Sequence, residues 1–148
     1  MKKALLLFAA LLVAGCGEKS LSDADVERLL KEAVDRDSIE ERNGLYYQTN
    51  ESEPYSGWTK KMYDSGQVKG LGQFKDGKAD GLLTQWYENG QKMAEQTHKE
   101  GKLDGLQTAW YENGQKRAEV TFRDGKELSA KYWNRKGEEV ETEEEAKD

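Results

Sequence analysis

The sequence predicts an all-β repeat: an extended antiparallel meander of tandem β-hairpins with one N-terminal amphipathic helix. Three observations carry that expectation. "WYENGQKMAE" at 86–95 recurs as "WYENGQKRAE" at 110–119, with one letter changed. Glycines step by 24 residues in three series, Gly57/Gly81/Gly105, Gly66/Gly90/Gly114 and Gly77/Gly101/Gly125, and Tyr63, Tyr87 and Tyr111 keep the same step. The segments between glycine turns are six to eight residues long, which suits strands and is too short for helices. A fixed period of this size is the signature of a repeat architecture.

Each unit holds two turns, "YDSGQ" or "YENGQ" and then "KDGK", "KEGK" or "RDGK", so each is a pair of antiparallel strands. A degraded fourth copy runs through "ELSAKYWNRKGEEV", where Trp133 and Gly137 fall 23 residues beyond Trp110 and Gly114. Alternation puts Trp58, Leu82 and Leu106 on one face with Met62, Trp86 and Trp110. In the second strand Gly70, Ala94 and Ala118 form one column and Phe74, His98 and Phe122 another. Lys61, Gln85, Lys69, Glu95 and Glu119 are expected on the opposite face, with the three tyrosines as its aromatic exception. A two-stranded unit is marginal alone, and stacked copies share an apolar face and pair their open edges.

Upstream of the repeats, "SIEERNGLYYQ" predicts an entry hairpin over 38–57, because Asn43-Gly44 suits a two-residue turn with positive φ at both positions. Pro54 interrupts pairing before the repeats, which occupy 58–140. An amphipathic helix is expected over 22–37, with Ser22 as its cap, Asp25 as the reciprocal partner and Leu21 with Val26 as a hydrophobic staple. Val26, Leu29, Leu30, Ala33 and Val34 make one apolar stripe, suited to covering the first strands. The acidic stretch 141–148 lacks an apolar pattern and is expected to be disordered.

Residues 1–15 read as a secretion signal. "MKK" is a basic start, "ALLLFAALLVA" is shorter than the roughly 20 residues that a spanning helix needs, and small residues precede Cys16. "Val13-Ala14-Gly15-Cys16" looks like a bacterial lipobox, which implies lipidation of Cys16, a tether over 16–21 and stable membrane anchoring through the acyl chains. Gly17 after the cysteine resembles the pattern of lipoproteins forwarded to the outer membrane. The expected location is the bacterial cell envelope, facing the periplasm.

Composition excludes several function classes. A formal charge of -6, which becomes -8 when Lys2 and Lys3 leave with the leader, opposes nucleic-acid binding and attraction to anionic lipid. The single cysteine permits no internal disulfide. His98, the one histidine, stands in a column of phenylalanines and has no nucleophile pattern around it, so no catalytic residue, metal site or cofactor is expected. Asp80 and Asp104 repeat with the 24-residue step before Gly81 and Gly105, so Asp-Gly turn chemistry accounts for them.

The recurring "GxxxxWYENGQKxxExxxxxGKxDG" resembles the variant MORN repeat. The order of lipoprotein leader, helix, "GLYY", "PYSG" and tandem copies is similar to the YwqK-type antitoxin family, over roughly Gly44 to Val140. That resemblance implies a non-enzymatic role and, in several members, neutralisation of a toxin encoded nearby. His98 departs from the repeat pattern, and the last copy lacks the "DG" step, as an end cap would.

Recognition of a protein, a toxin or effector, is therefore the expected function. Tyr63, Tyr87 and Tyr111 form an aromatic row of the kind enriched at interface hot spots, although cross-strand stabilisation explains a residue common to every copy. Positions that differ between copies, Leu83 against Gln107 and Met93 against Arg117, are the better candidates for specificity. A scaffolding envelope lipoprotein and a lipid-headgroup-binding module are the alternatives.

Overall fold

The computed structural model describes residues 20–147. The leader and Cys16 lie outside the described residues. Helix α1 (Asp23–Glu32) opens on the expected capping box: the Asp25 amide donates to Ser22 Oγ, and the Asp25 carboxylate accepts from the Ser22 amide. The Ser22 hydroxyl, which donates to the same carboxylate at 2.6 Å, and then the Ser22 amide and Arg28 hold the Asp25 carboxyl below its ordinary range. Leu21 and Val26 both pack against the core, as a staple should.

The helix ends earlier than the sequence stripe suggests. Ala33 is already extended, and Val34 and Asp35 form β1 (Val34–Asp35), which runs parallel to β4 (Gly57–Met62) with Val34 beside Thr59. Apolar spacing continued the helix to 37, but pairing with a strand some 25 residues away claims Val34 instead. A 3-10 turn, Arg36–Ser38, then leads into the hairpin β2 (Ile39–Arg42) and β3 (Leu45–Gln48). Its turn has positive φ at both Asn43 and Gly44, as expected.

The repeats form one sheet of ten strands with β1, and the hairpin is a separate two-stranded sheet. From β4 the chain meanders through β5 (Val68–Lys75), β6 (Lys78–Trp86), β7 (Lys92–Lys99), β8 (Lys102–Leu103), β9 (Gly105–Trp110), β10 (Lys116–Arg123), β11 (Lys126–Trp133) and β12 (Glu139–Val140). Consecutive strands pair antiparallel throughout, save that β7 pairs both β8 and β9.

Pairing defines two faces, because side chains directly opposite one another point the same way. Lys60, Leu71, Thr84, Glu95, Thr108, Glu119 and Lys131 form a continuous cross-strand row. Trp58, Leu82, Trp86, Leu106 and Trp110 fall on that same side, each two residues away along its strand from Lys60, Thr84 or Thr108. Glu95 and Glu119 therefore share the tryptophan face and do not oppose it. The cause is a bulge in each copy: the register skips one residue at Lys69, Met93 and Arg117, which shifts the alternation by one.

Helix α1 lies on the tryptophan face. Leu29, Ala33, Leu71 and Trp86 make the buried core, with Leu21, Val26, Leu30, Trp58 and Val68 packed around it. Burying Leu71, which is 1% exposed, contributes about 1.5–3 kcal/mol. Lys60 Nζ donates to the Leu30 carbonyl at 2.8 Å and so satisfies one orphan acceptor at the helix end. The hairpin lies on the opposite face, where the Tyr46 and Phe74 rings meet edge to face at 5.3 Å and Arg36 stacks over both.

The acidic tail is ordered, contrary to its composition. A second 3-10 turn, Glu145–Lys147, places Ala146 at 0% exposure, and the Tyr111 hydroxyl contacts the Ala146 carbonyl. One small apolar residue among the glutamates anchors a segment whose average character reads as solvated chain.

Candidate functional site

The repeats are locked to one another at both margins of the sheet, by bonds that reach across 20 to 23 residues. On one margin each tyrosine hydroxyl donates to the tryptophan carbonyl of the next copy: Tyr63 to Trp86 at 2.8 Å, Tyr87 to Trp110 at 2.9 Å and Tyr111 to Trp133 at 2.8 Å. Asn89 and Asn113 add side-chain bonds to the carbonyls of Glu112 and Arg135. The turn behind each bond is the same: the Gly66 amide donates to the Tyr63 carbonyl and the Tyr63 amide to the Gln67 carbonyl, and the later copies repeat both.

On the other margin the turn of each hairpin hangs from the copy before it. The amides of Gly77, Gly101 and Gly125 donate to the carbonyls of Tyr55, Ala79 and Leu103. The amides of Asp76, Glu100 and Asp124 donate to Ser56 Oγ, Asp80 Oδ2 and Asp104 Oδ2. Asp80 and Asp104 thus cap the next copy's turn and do not build a turn of their own. Gly81, within β6, has φ +109°, and a Cβ there would meet the Gln73 amide at 2.2 Å. Gly77, at φ +77°, would meet Leu45, Pro54 and the Tyr46 carbonyl within 3.1 Å, so it seats the entry hairpin against the array.

The tyrosine row therefore has a structural function in each copy. Tyr111 is buried at 5% exposure, and Tyr63 and Tyr87 are half-buried. Lys69 stacks over the Tyr63 ring and Arg135 over the Tyr111 ring. Met93 and Arg117 are the bulge residues of their copies, and Lys69, one 24-residue step earlier, is the third member of that column.

Leu83 lies elsewhere, in a concavity on the face opposite α1. Between the hairpin and the face opposite α1 is a cavity of about 460 Å³. Gly70, Gly72, Leu83, Gln85 and His98 line its sheet side, and Arg36, Glu41 and Tyr46 its hairpin side. Leu83 sits across from Gly72, whose missing side chain leaves the Leu83 methyls about 3.5 Å from where a Cβ would be. His98 Nδ1 is buried without a hydrogen-bond partner, and burial lowers the imidazole pKa from its ordinary value. Its neighbours in the column, Phe74 and Phe122, carry no polar atom at that place.

The concavity combines an apolar floor with a few polar groups, the composition of a recognition site. Arg36, Lys61 and Lys78 outnumber Glu41 around it, so its local charge is opposite to that of the chain. Among the described residues no group of three or more His, Cys, Asp or Glu is placed to hold a metal ion. No helix among the described residues is long and apolar enough to cross a membrane.

The family model of the MORN repeat variant matches residues 79–100 and 103–124. Those two segments are the second and third copies, and the same tyrosine and glycine bonds extend beyond them on either side. No curated protein and no solved structure matches the chain.

Proposed function

We propose that this chain, which carries variant MORN repeats in a sheet of tandem hairpins, is a non-catalytic protein-binding module. In the same reading it is exported, held in the bacterial envelope by acylated Cys16, and neutralises a toxin or effector there as an antitoxin or immunity protein. The observation that carries the binding role is the cavity beside Leu83, Gln85 and His98, set on the face that α1 leaves open. The latches on both margins fix the repeats as one body, so that face is presented to a partner with little ordering cost.

The residues that vary between copies supply specificity in this reading, and those that recur hold the copies together. Leu83 offers an apolar contact in the floor, and Met93 and Arg117 offer different chemistry from one bulge position. The leader and Cys16 support the envelope location by their sequence pattern alone.

Capture with the full chain from cells that make it should recover one protein in stoichiometric amount, and Leu83→Glu should abolish that recovery while far-ultraviolet circular dichroism stays unchanged. Deleting the gene should be harmless unless the captured protein is also made. Loss of envelope integrity on deletion alone would instead indicate a scaffolding role.

A further inference from the structure

The tail that covers Tyr111, the last of the repeated tyrosine row, lies against a basic surface without satisfying it. Around the margin at Tyr87 and Tyr111 is a depression of about 360 Å³, also lined by Glu112, Arg117, Arg135 and Lys147. Of the lining residues outside the tail, Arg117 and Arg135 are basic and Glu112 is acidic, in a chain whose net charge is -6, while Lys147 belongs to the tail and pairs with Glu144. Glu143 of the tail approaches Arg117, but only to 3.9 Å. Arg117 Nε is buried and has no hydrogen-bond partner. The planar guanidinium offers parallel donors that a well-placed carboxylate would take in pairs, and the resident glutamate takes at most one of them.

The anchoring contact is equally incomplete. The Tyr111 hydroxyl lies against two carbonyls, those of Trp133 and Ala146, and has one proton for both. The tail itself is held by a few local bonds: the Glu145 amide to Thr142 Oγ1, the Glu141 amide to the Glu145 carboxylate and the Ala146 amide to the Thr142 carbonyl. In the earlier copies the chain continues into another hairpin at this place. Here a short acidic strap substitutes for one.

We propose that residues 141–147 are a displaceable strap, and that the surface at Arg117, Arg135 and Tyr111 binds an acidic extended segment of a partner protein in its place. The proposal rests on the reading of the chain as a protein-binding module and names the chemistry of the partner's contact: a carboxylate that takes paired N–H donors, the partnerless Nε among them, along an edge of the Arg117 guanidinium. The strap keeps the site closed until a better-fitting acidic segment competes for it. Its population then taxes the apparent affinity of any competitor.

The test uses a fluorescent synthetic peptide of residues 139–148 as the probe, titrated into the full chain in detergent. Wild type should bind it weakly. Ala146→Gln, which cannot fit the fully buried Ala146 position, should bind about tenfold more tightly by releasing the strap. Adding Arg117→Gln should remove that gain, and a probe with glutamines for glutamates should not bind. Because Ala146→Gln could unsettle the end copy, Thr142→Ala with Glu143→Gln provides a second opening that leaves the buried contact untouched. If neither opened form binds more tightly than wild type, or if the glutamine probe binds equally well, the proposal is wrong. A captured protein whose binding ignores Arg117→Gln would sink this inference and leave the binding module standing. Peptide binding without any captured protein would keep the displaceable strap and overturn both the binding module and the partner assigned to the strap's site.

Discussion

The Tyr87 hydroxyl donates to the Trp110 carbonyl at 2.9 Å, across 23 residues of sequence, and the same bond joins Tyr63 to Trp86 and Tyr111 to Trp133. Each bond ties the last residue of one strand to the turn of the preceding copy. A hairpin that is marginal alone is thereby fixed to both neighbours, in addition to its strand pairing. Tyr87→Phe keeps the ring and leaves a part-buried carbonyl without its donor. The expected cost is about 1 kcal/mol in urea unfolding, with the slope unchanged. Amide exchange should quicken in β9 before it does in β4. An unchanged midpoint would mean that strand pairing alone joins the copies.

Glu100 shows where a repeat departs from its best residue. It has φ 50° at the first turn position, where the other copies place Asp76 and Asp124. Glutamate has no short side chain to support a left-handed backbone, whereas asparagine adopts it readily. Glu100→Asn should therefore stabilise the chain by about 0.5–1 kcal/mol, part of the roughly 1–2 kcal/mol left-handed penalty. The Glu100 amide still donates to Asp80 Oδ2, so the cap survives the change. Thermal or urea unfolding of the variant against wild type reads the gain directly.

His98 carries a pH dependence of known sign. Burial holds its imidazole below the ordinary value of 6.5, so the folded chain accepts the proton less readily than the unfolded one. The stability this confers is complete above pH 6.5 and is lost as pH falls through the folded value. His98→Phe restores the ring found at Phe74 and Phe122 and removes the titrating group. Between about pH 7.5 and pH 5.5, either side of the ordinary histidine value, wild type should lose midpoint stability faster than the variant. Parallel slopes would place the pH dependence in other groups.

Much of this architecture was legible in the residues. The 24-residue step gave strands and turns, Asn43-Gly44 gave the entry turn, and Ser22 with Asp25 gave the start of α1. What escaped was non-local. Val34 fits a helical stripe as well as a strand, and only its pairing with Thr59 separates the two. Simple alternation puts Glu95 and Glu119 opposite the tryptophans, whereas a bulge at Met93 and Arg117 turns them to the tryptophan face without any change in composition. Asp80 reads as part of a local turn, yet its acceptor serves Glu100, twenty residues on. The acidic tail reads as solvated chain because one buried alanine carries no weight in an average.

The cavity was less legible than the scaffold. Leu83 stood out because Gln107 replaces it in the next copy, but the hairpin that forms the other wall, through Arg36, Glu41 and Tyr46, has no repeat signature. Whether a loop beside the array folds over a given column depends on long-range contacts such as Tyr46 with Phe74. Equivalence between copies marks which positions may vary and not which of them face a wall.

Leu82 and Leu83 are adjacent in β6 and point to opposite faces, so they distinguish the two sides of the sheet in one experiment. A photoreactive phenylalanine analogue placed at either position in the full chain, in cells that make it, would report what touches each face. The account predicts one adduct of constant mass from position 83 and none of that mass from position 82. An adduct from 82 alone, or none from either, would contradict it.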